Sequence, residues 1–410
     1  MNDHSPQKRY YFHYGWVIIA TGSLVLFSCL GLARYAYTML LPGMQASLGF
    51  SYDRMGYIGT ANFIGYLVSV IAAPKLIKHL RPRATVVSGL LLIGFCTLGI
   101  SRVDSFVALA ALYTLVGMGG GFANIPTMAL VTWWFRSEQR GKAAGLVIGG
   151  NGAAIIAAGY VVPLLNNAFG ADGWRHGWLL LGGVTLLIAL IAAFLLRNHP
   201  ADMGLEPIGR AQPVGAEQLV PRESPGDGGI MLRLGLLYLV FGATFMVYGT
   251  FIVTTMVKEY GFSAGRAGFY WSWVGFFSLF SGIGFGALSD RIGRKKGIAL
   301  VFAVQSIAYL LAGLRLGEAA LVISIILYGC AVFAIPAIMA AAVADYLGLH
   351  RAATAFATVT VFFAAGQTLG PAGAGLLAKL GNGFSLAYLI AALLTFFAAL
   401  FAMTLPRPKV

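Results

Sequence analysis

The residues best placed to do chemistry lie in the stretch Gly31-Leu32-Ala33-Arg34-Tyr35-Ala36-Tyr37-Thr38. It sets one arginine inside an apolar run that begins near Tyr14 and ends near Leu41. At about 1.5 Å of helix rise per residue, Arg34 is expected roughly 10 Å below the end of that run. A cation so placed costs about 3 kcal/mol or more in lipid, and such residues usually face protein or a wet cavity. A guanidinium can hold a carboxylate through two parallel hydrogen bonds, and hydroxyls can complete the shell. Tyr37 and Thr38, one turn on, offer such hydroxyls. The next run starts near Met55 and travels the other way, so Asn62 reaches a similar depth, roughly 10 Å in. Tyr66 follows one turn deeper on the same face. The same residues also have structural uses: Arg34 could cap carbonyls or snorkel to an interface, and Asn62 and Tyr66 could join helices.

What is missing narrows the chemistry. All 14 Asp and Glu fall in tails, loops or span ends. His13, His79, His199 and His350 lie at one edge of the spans and His176 at the other. A proton relay through a mid-membrane carboxylate is therefore not expected. Cys29, Cys96 and Cys330 fall inside spans with neither metal-ligand nor disulfide spacing, and read as packing residues. No nucleophile–base pair and no metal cluster is legible, so no enzyme, no metal and no cofactor is expected.

The elements that position these residues are membrane helices. The 410-residue chain is 59% hydrophobic and 10% charged, with mean hydropathy +0.80, where a soluble chain carries about 25% charge. Apolar runs near the roughly 20 residues of a membrane crossing recur. Twelve spans are expected, near 14–41, 55–77, 84–101, 105–135, 141–166, 176–197, 233–257, 267–288, 296–314, 319–344, 352–378 and 384–404. No signal-peptide cleavage site precedes the first, which reads as a retained span. The stretch 198–232, rich in Pro, Gly and Glu, reads as a flexible linker between two six-helix bundles, 14–197 and 233–404, with short tails 1–13 and 405–410. With the N-terminus in the cytoplasm, 20 of the 28 Lys and Arg lie on the cytoplasmic side and seven on the other. Arg34 is the one left inside the membrane. That asymmetry follows the positive-inside rule and puts both termini in the cytoplasm. It accounts for the +14 net charge without nucleic acid; the partner it implies is the lipid bilayer.

The two halves repeat. Gly49-Phe50-Ser51-Tyr52-Asp53-Arg54-Met55-Gly56-Tyr57 returns as Gly261-Phe262-Ser263-Ala264-Gly265-Arg266-Ala267-Gly268-Phe269, and Ile125-Pro126 returns as Ile335-Pro336. Same-direction repeats place the usual binding site between pseudo-equivalent bundles, near the midplane. Glycines at Gly145, Gly149, Gly152 and Gly159 line a narrow arc of the fifth span, and Gly366, Gly370 and Gly373 do so in the eleventh; small residues let membrane helices approach closely.

After the eighth span the chain reads Gly286-Ala287-Leu288-Ser289-Asp290-Arg291-Ile292-Gly293-Arg294-Lys295-Lys296. This resembles the signature loop of the major facilitator superfamily, with Ser289 at the position of its alanine. The resemblance implies an all-α membrane fold of twelve transmembrane helices in two pseudo-symmetric bundles. It also implies a latch in which Asp290 sits at the start of the fifth span, near Gly141, while Gly286 and Gly293 let the chain turn and Arg291, Arg294 and Lys295 pair with carboxylates or lipid heads. In the first half, Lys78 and Arg81 stand where Asp290 and Gly293 stand, so two equal latches are not expected. Tyr14-Gly15-Trp16-Val17, Gly173-Trp174-Arg175 and Asn198-His199-Pro200-Ala201-Asp202-Met203-Gly204-Leu205-Glu206-Pro207 look like the monocarboxylate and oxalate–formate carrier branch. Gly31-Leu32-Ala33-Arg34-Tyr35 and Asn62-Phe63-Ile64-Gly65-Tyr66 look like the bacterial YbfB/YjiJ-type branch. The arginine that monocarboxylate carriers place in the eighth span is absent here, where Trp271, Ser272, Trp273, Ser278 and Ser281 stand instead.

In this superfamily the first, fourth, seventh and tenth spans line the cavity. The resemblance thereby adds Phe27, Tyr113, Tyr248, Thr250 and Tyr328 to the candidates, with Gln367 and Asn151 as polar groups able to reach the same space. The function expected is secondary active transport of a small organic anion by alternating access. Either the substrate brings a proton, or the bare cation enforces exchange. The setting expected is a bacterial inner membrane, and the expected form is a monomer. Efflux of amphipathic or cationic compounds through an aromatic cavity is the second reading, and a non-transporting sensor the third.

Overall fold

The computed structural model describes residues 13–209, 227–348 and 351–406. Most of both expected tails, and the linker residues 210–226, lie outside the described residues. Span one is Gly15–Leu48, followed by span two over 52–80 and span three over 82–100. Spans four to six are Phe106–Trp134, Ser137–Phe169 and Gly173–Leu195. Spans seven to nine are Asp227–Lys258, Ala264–Ile292 and Arg294–Leu314. Spans ten to twelve are Glu318–Leu347, Ala352–Gly381 and Ser385–Met403.

Spans two and three run together as Tyr52–Ile100, 49 residues. Unbroken, that helix would reach about 74 Å, more than twice the ~30 Å hydrocarbon core. It breaks at Arg81, where φ is 64° and ψ 159°; Pro82 bars Arg81 from the helical region. Spans five and six turn at Gly170, φ 56°. Ten continuous apolar helical stretches are present among the described residues. The two longest divide at these turns, which gives twelve helical segments among the described residues.

Span one departs from its expected bounds. It continues across Pro42 to Leu48, so Arg34 lies fourteen residues, roughly 21 Å, from its end. The cation is near mid-span, deeper than the apolar run suggests. Residues Phe27–Tyr35, nine in all, form a π-helical stretch rather than α-helix. Such widened turns are rare and concentrate at functional sites. Here Gly31 lies so close to Ala154 of span five that an added Cβ would overlap it.

The expected linker also differs at its start. Ile208 pairs with the end of span four: its N–H donates to the Trp134 carbonyl at 2.9 Å, and Arg136 N–H donates to the Ile208 carbonyl at 2.8 Å. Arg136 bonds Glu206 at 2.8 Å, and His199 stacks on Trp133 with ring centroids 4.3 Å apart. Residues 198–209 are thus docked, because the aromatic end of span four offers both a flat apolar face and free backbone groups.

The halves meet most closely on the side away from the termini. There Thr60 Oγ1 donates to the Thr368 carbonyl at 2.8 Å and accepts from Ala372 N–H at 3.1 Å. Tyr52 meets Phe384 edge-on, centroids 5.0 Å apart, and Lys379 bonds Asp53 at 2.9 Å. Gly56 packs directly on the Pro371 carbonyl. Midway, spans five and eight touch backbone to backbone, and a Cβ on Gly275 would stand 2.7 Å from the Gly152 carbonyl. Toward the termini, Gly141 and Gly145 on one span, and Gly284 and Gly286 on the other, face open space, with no atom within 4 Å of a Cβ built on them.

Candidate functional site

Between the halves lies a void of about 10 Å³, room for about one water. Arg34, Tyr37 and Thr38 of span one line it, with Asn62 of span two, Tyr113 of span four, and Met246, Gly249 and Thr250 of span seven. The Arg34 guanidinium carbon lies 4.7 Å from the Phe63 ring centroid and 4.8 Å from that of Tyr66. Its Nε is buried with no hydrogen-bond partner. Among the described residues no carboxylate pairs with it. Each aromatic face offsets about 0.5–2 kcal/mol of the hydration the half-buried cation gives up. The site holds unmet positive charge.

The polar neighbours are held in place by backbone groups. Tyr113 donates to the Ala33 carbonyl at 3.0 Å, a carbonyl beside Arg34. Tyr37 donates to Met55 O at 2.8 Å, and Asn62 Nδ2 to Tyr113 O at 3.2 Å. Tyr66 accepts from Asn124 Nδ2 at 3.0 Å. Thr38 reaches across the seam to the Gly249 carbonyl at 2.5 Å. Arg34, Tyr37, Thr38, Asn62 and Tyr113 therefore share one void, with Tyr66 under the guanidinium.

Tyr248, Tyr328 and Gln367 do not line it. Tyr248 and Tyr328 stack at 4.2 Å inside the second half. Tyr248 pairs with Ser324 Oγ at 2.8 Å, and Tyr328 donates to Phe245 O at 2.9 Å. Gln367 is 1% exposed, and both its amide atoms lack a partner. Asn151 Oδ1 is likewise buried without one. Sequence reasoning missed Phe63, Asn124, Met246 and Gly249. Phe63, one residue on from Asn62 and so turned to a different face of the helix, was not marked by spacing; Gly249, which acts through its carbonyl, carried no signal.

At the loop after span eight, Arg294 bonds Asp290 of its own half and donates to Asp345 at 2.6 Å and Ser289 Oγ at 2.8 Å. The expected contact of Asp290 with the start of span five is not made in this state. Gly293 turns the chain at φ 91°. On the far side, Glu259 accepts from Arg315 at 2.5 Å and from Phe384 N–H at 2.8 Å. Burial pushes its carboxyl above the ordinary glutamate value, with those partners opposing.

The sequence profile of a family described as "Uncharacterised MFS-type transporter YbfB" matches residues 26–403. The chain belongs to this family. It is a multi-pass membrane transporter of the major facilitator type, and not an enzyme. Among its relatives is the oxalate:formate antiporter of Oxalobacter formigenes, 26% identical, with 96% of this chain and 92% of the relative covered. Human monocarboxylate transporter 2 is 21% identical, covering 92% and 82%. In fold, this MFS-type chain is similar to a D-xylose-proton symporter, with TM-score 0.75, 16% identity, and 97% and 98% of the two chains covered.

Proposed function

We propose that this transporter carries a small organic anion, monocarboxylate-like, held by Arg34, and works by alternating access of its two six-helix halves. The observation that carries the reading is the partnerless Arg34 guanidinium on two aromatic faces at the seam between halves. A carboxylate arriving there relieves the cation's desolvation and gains paired charge-assisted hydrogen bonds. The relatives named for oxalate, formate and monocarboxylates support the same class. A void of about 10 Å³ is too small for any such anion, so loading requires the halves to part. The closed far side, with open space beside the terminal-side glycines of spans five and eight, agrees with an inward-facing state.

The cycle follows from charge. An unneutralised cation resists passing through the occluded state, so reorientation waits for an anion and exchange results. A proton carried in with the substrate gives symport by the same route. Asp290, Arg291, Arg294 and Lys295 would latch the terminal side when the halves close there. The protein works as a monomer in a bacterial inner membrane with both termini in the cytoplasm. Export of cations is disfavoured by the same guanidinium.

A thermal-shift screen of the purified transporter against carboxylates and cationic drugs tests this. Some organic acid should stabilise it. Arg34→Ala should weaken that acid at least about thirtyfold, and Arg34→Lys, which keeps charge but loses the planar fork, by about tenfold. Stabilisation by cations alone would overturn the reading.

A further inference from the structure

A second concave site lies on the terminal side, between the Arg81 turn, the start of span three and the end of span six, with a volume of about 580 Å³. It lies wholly in the first half and is independent of the Arg34 void. Its rim is basic. Lys75, Lys78, Arg81 and Arg83 fall within nine residues with His79 and no acid among them. Among the described residues none of these four cations has a carboxylate partner. Arg83 is fixed in place: its guanidinium donates to the Ala193 carbonyl, and its backbone N–H donates to Asn198 Oδ1 at 3.0 Å. Arg81 is exposed and held at φ 64°, a left-handed conformation that non-glycine residues adopt at a cost and that clusters at functional sites.

Below the rim the wall turns apolar. Ala84, Val87 and Leu91 of span three line the groove at positions i, i+3 and i+7, one face of the helix. The groove therefore joins an uncompensated basic head region to an apolar strip running into the membrane. The geometry points to a binding site for an anionic phospholipid, with its phosphate on Arg81 and Arg83 beside the neighbouring charge of Lys78, and one acyl chain along Ala84, Val87 and Leu91. Any lipid covers the strip equally well; the cations supply the selection. Basic pockets between membrane helices on the cytoplasmic side hold anionic headgroups in this way. Each Lys or Arg near an anionic surface contributes about fivefold in affinity.

The test uses the full-length transporter in detergent, titrated with phosphatidylglycerol, phosphatidylcholine or inorganic phosphate. Melting temperature and lipid retention in native mass spectrometry are read. Phosphatidylglycerol should raise the melting temperature of the wild type, while phosphatidylcholine and inorganic phosphate should not. Lys78→Gln should bind phosphatidylglycerol about fivefold more weakly, and Lys78→Gln/Arg81→Gly about thirtyfold. Glycine relieves the Arg81 backbone, so the double variant without lipid should melt no lower than the wild type. Should it melt lower, Lys78→Gln alone decides. Equal effects of the two lipids, an equal effect of inorganic phosphate, or unchanged phosphatidylglycerol retention in the variants would each overturn the proposal.

Discussion

Glu259 keeps 7% of its side chain exposed and has two partners, Arg315 and the Phe384 amide; Arg34 has neither kind. The contrast separates a charge the fold satisfies from one it leaves open. For Glu259, burial outweighs its partners and raises the carboxyl above the ordinary value. Between about 4.3, the unfolded value, and that raised value, the folded state binds more protons than the unfolded state. Stability then falls as pH rises through this window. Wild-type protein should lose melting temperature from this group as pH rises above the ordinary glutamate range, and Glu259→Gln should flatten the slope; equal slopes would refute the assignment. Arg34 itself was legible from the sequence, because one arginine in an apolar run is conspicuous. Its rings were half legible: Tyr66 by helical spacing, Phe63 not.

At the scale of the element, hydropathy read span one as ending near Leu41, because Pro42 and Gly43 look like a stop in water. Within a bundle, neighbouring helices satisfy the groups a proline frees, and the helix continues to Leu48. The π-helical stretch Phe27–Tyr35 has no sequence signature; it contains Gly31, which packs directly on Ala154 of another helix. Gly31→Ala places a methyl onto the Ala154 methyl. It should cost about 1–3 kcal/mol by overpacking, read as a lower melting temperature. Little change would mean that span one shifts freely against span five. The turn between spans two and three was legible as a basic loop; its strained Arg81 was not, because φ depends on the path of the chain on either side.

For the whole molecule, the question is what holds the far side shut. The Lys379–Asp53 pair leaves Lys379 54% exposed, and exposed pairs contribute about 0–1 kcal/mol. Backbone contact of Gly56 with Pro371, which tolerates no side chain, is the stronger constraint. Asp53→Asn should therefore change transport in proteoliposomes by less than about fivefold. Gly56→Leu, which wedges the same seam, should reduce it more than tenfold. The opposite ranking would make the ion pair the gate.

Composition, run lengths and the basic asymmetry determined that this chain crosses a membrane many times, because lipid leaves no other place for long apolar runs. The Gly286–Lys296 loop pointed to its superfamily, and Gly31–Tyr35 and Asn62–Tyr66 to its branch. Only the tertiary structure decided that Tyr37, Thr38, Asn62 and Tyr113 gather around Arg34 while Tyr248, Tyr328 and Gln367 do not. Helical spacing tells which residues share a face, but not which way that face turns. That direction is set where backbones touch, at contacts such as Gly31–Ala154 and Gly152–Gly275, made by residues with almost no side chain to announce them.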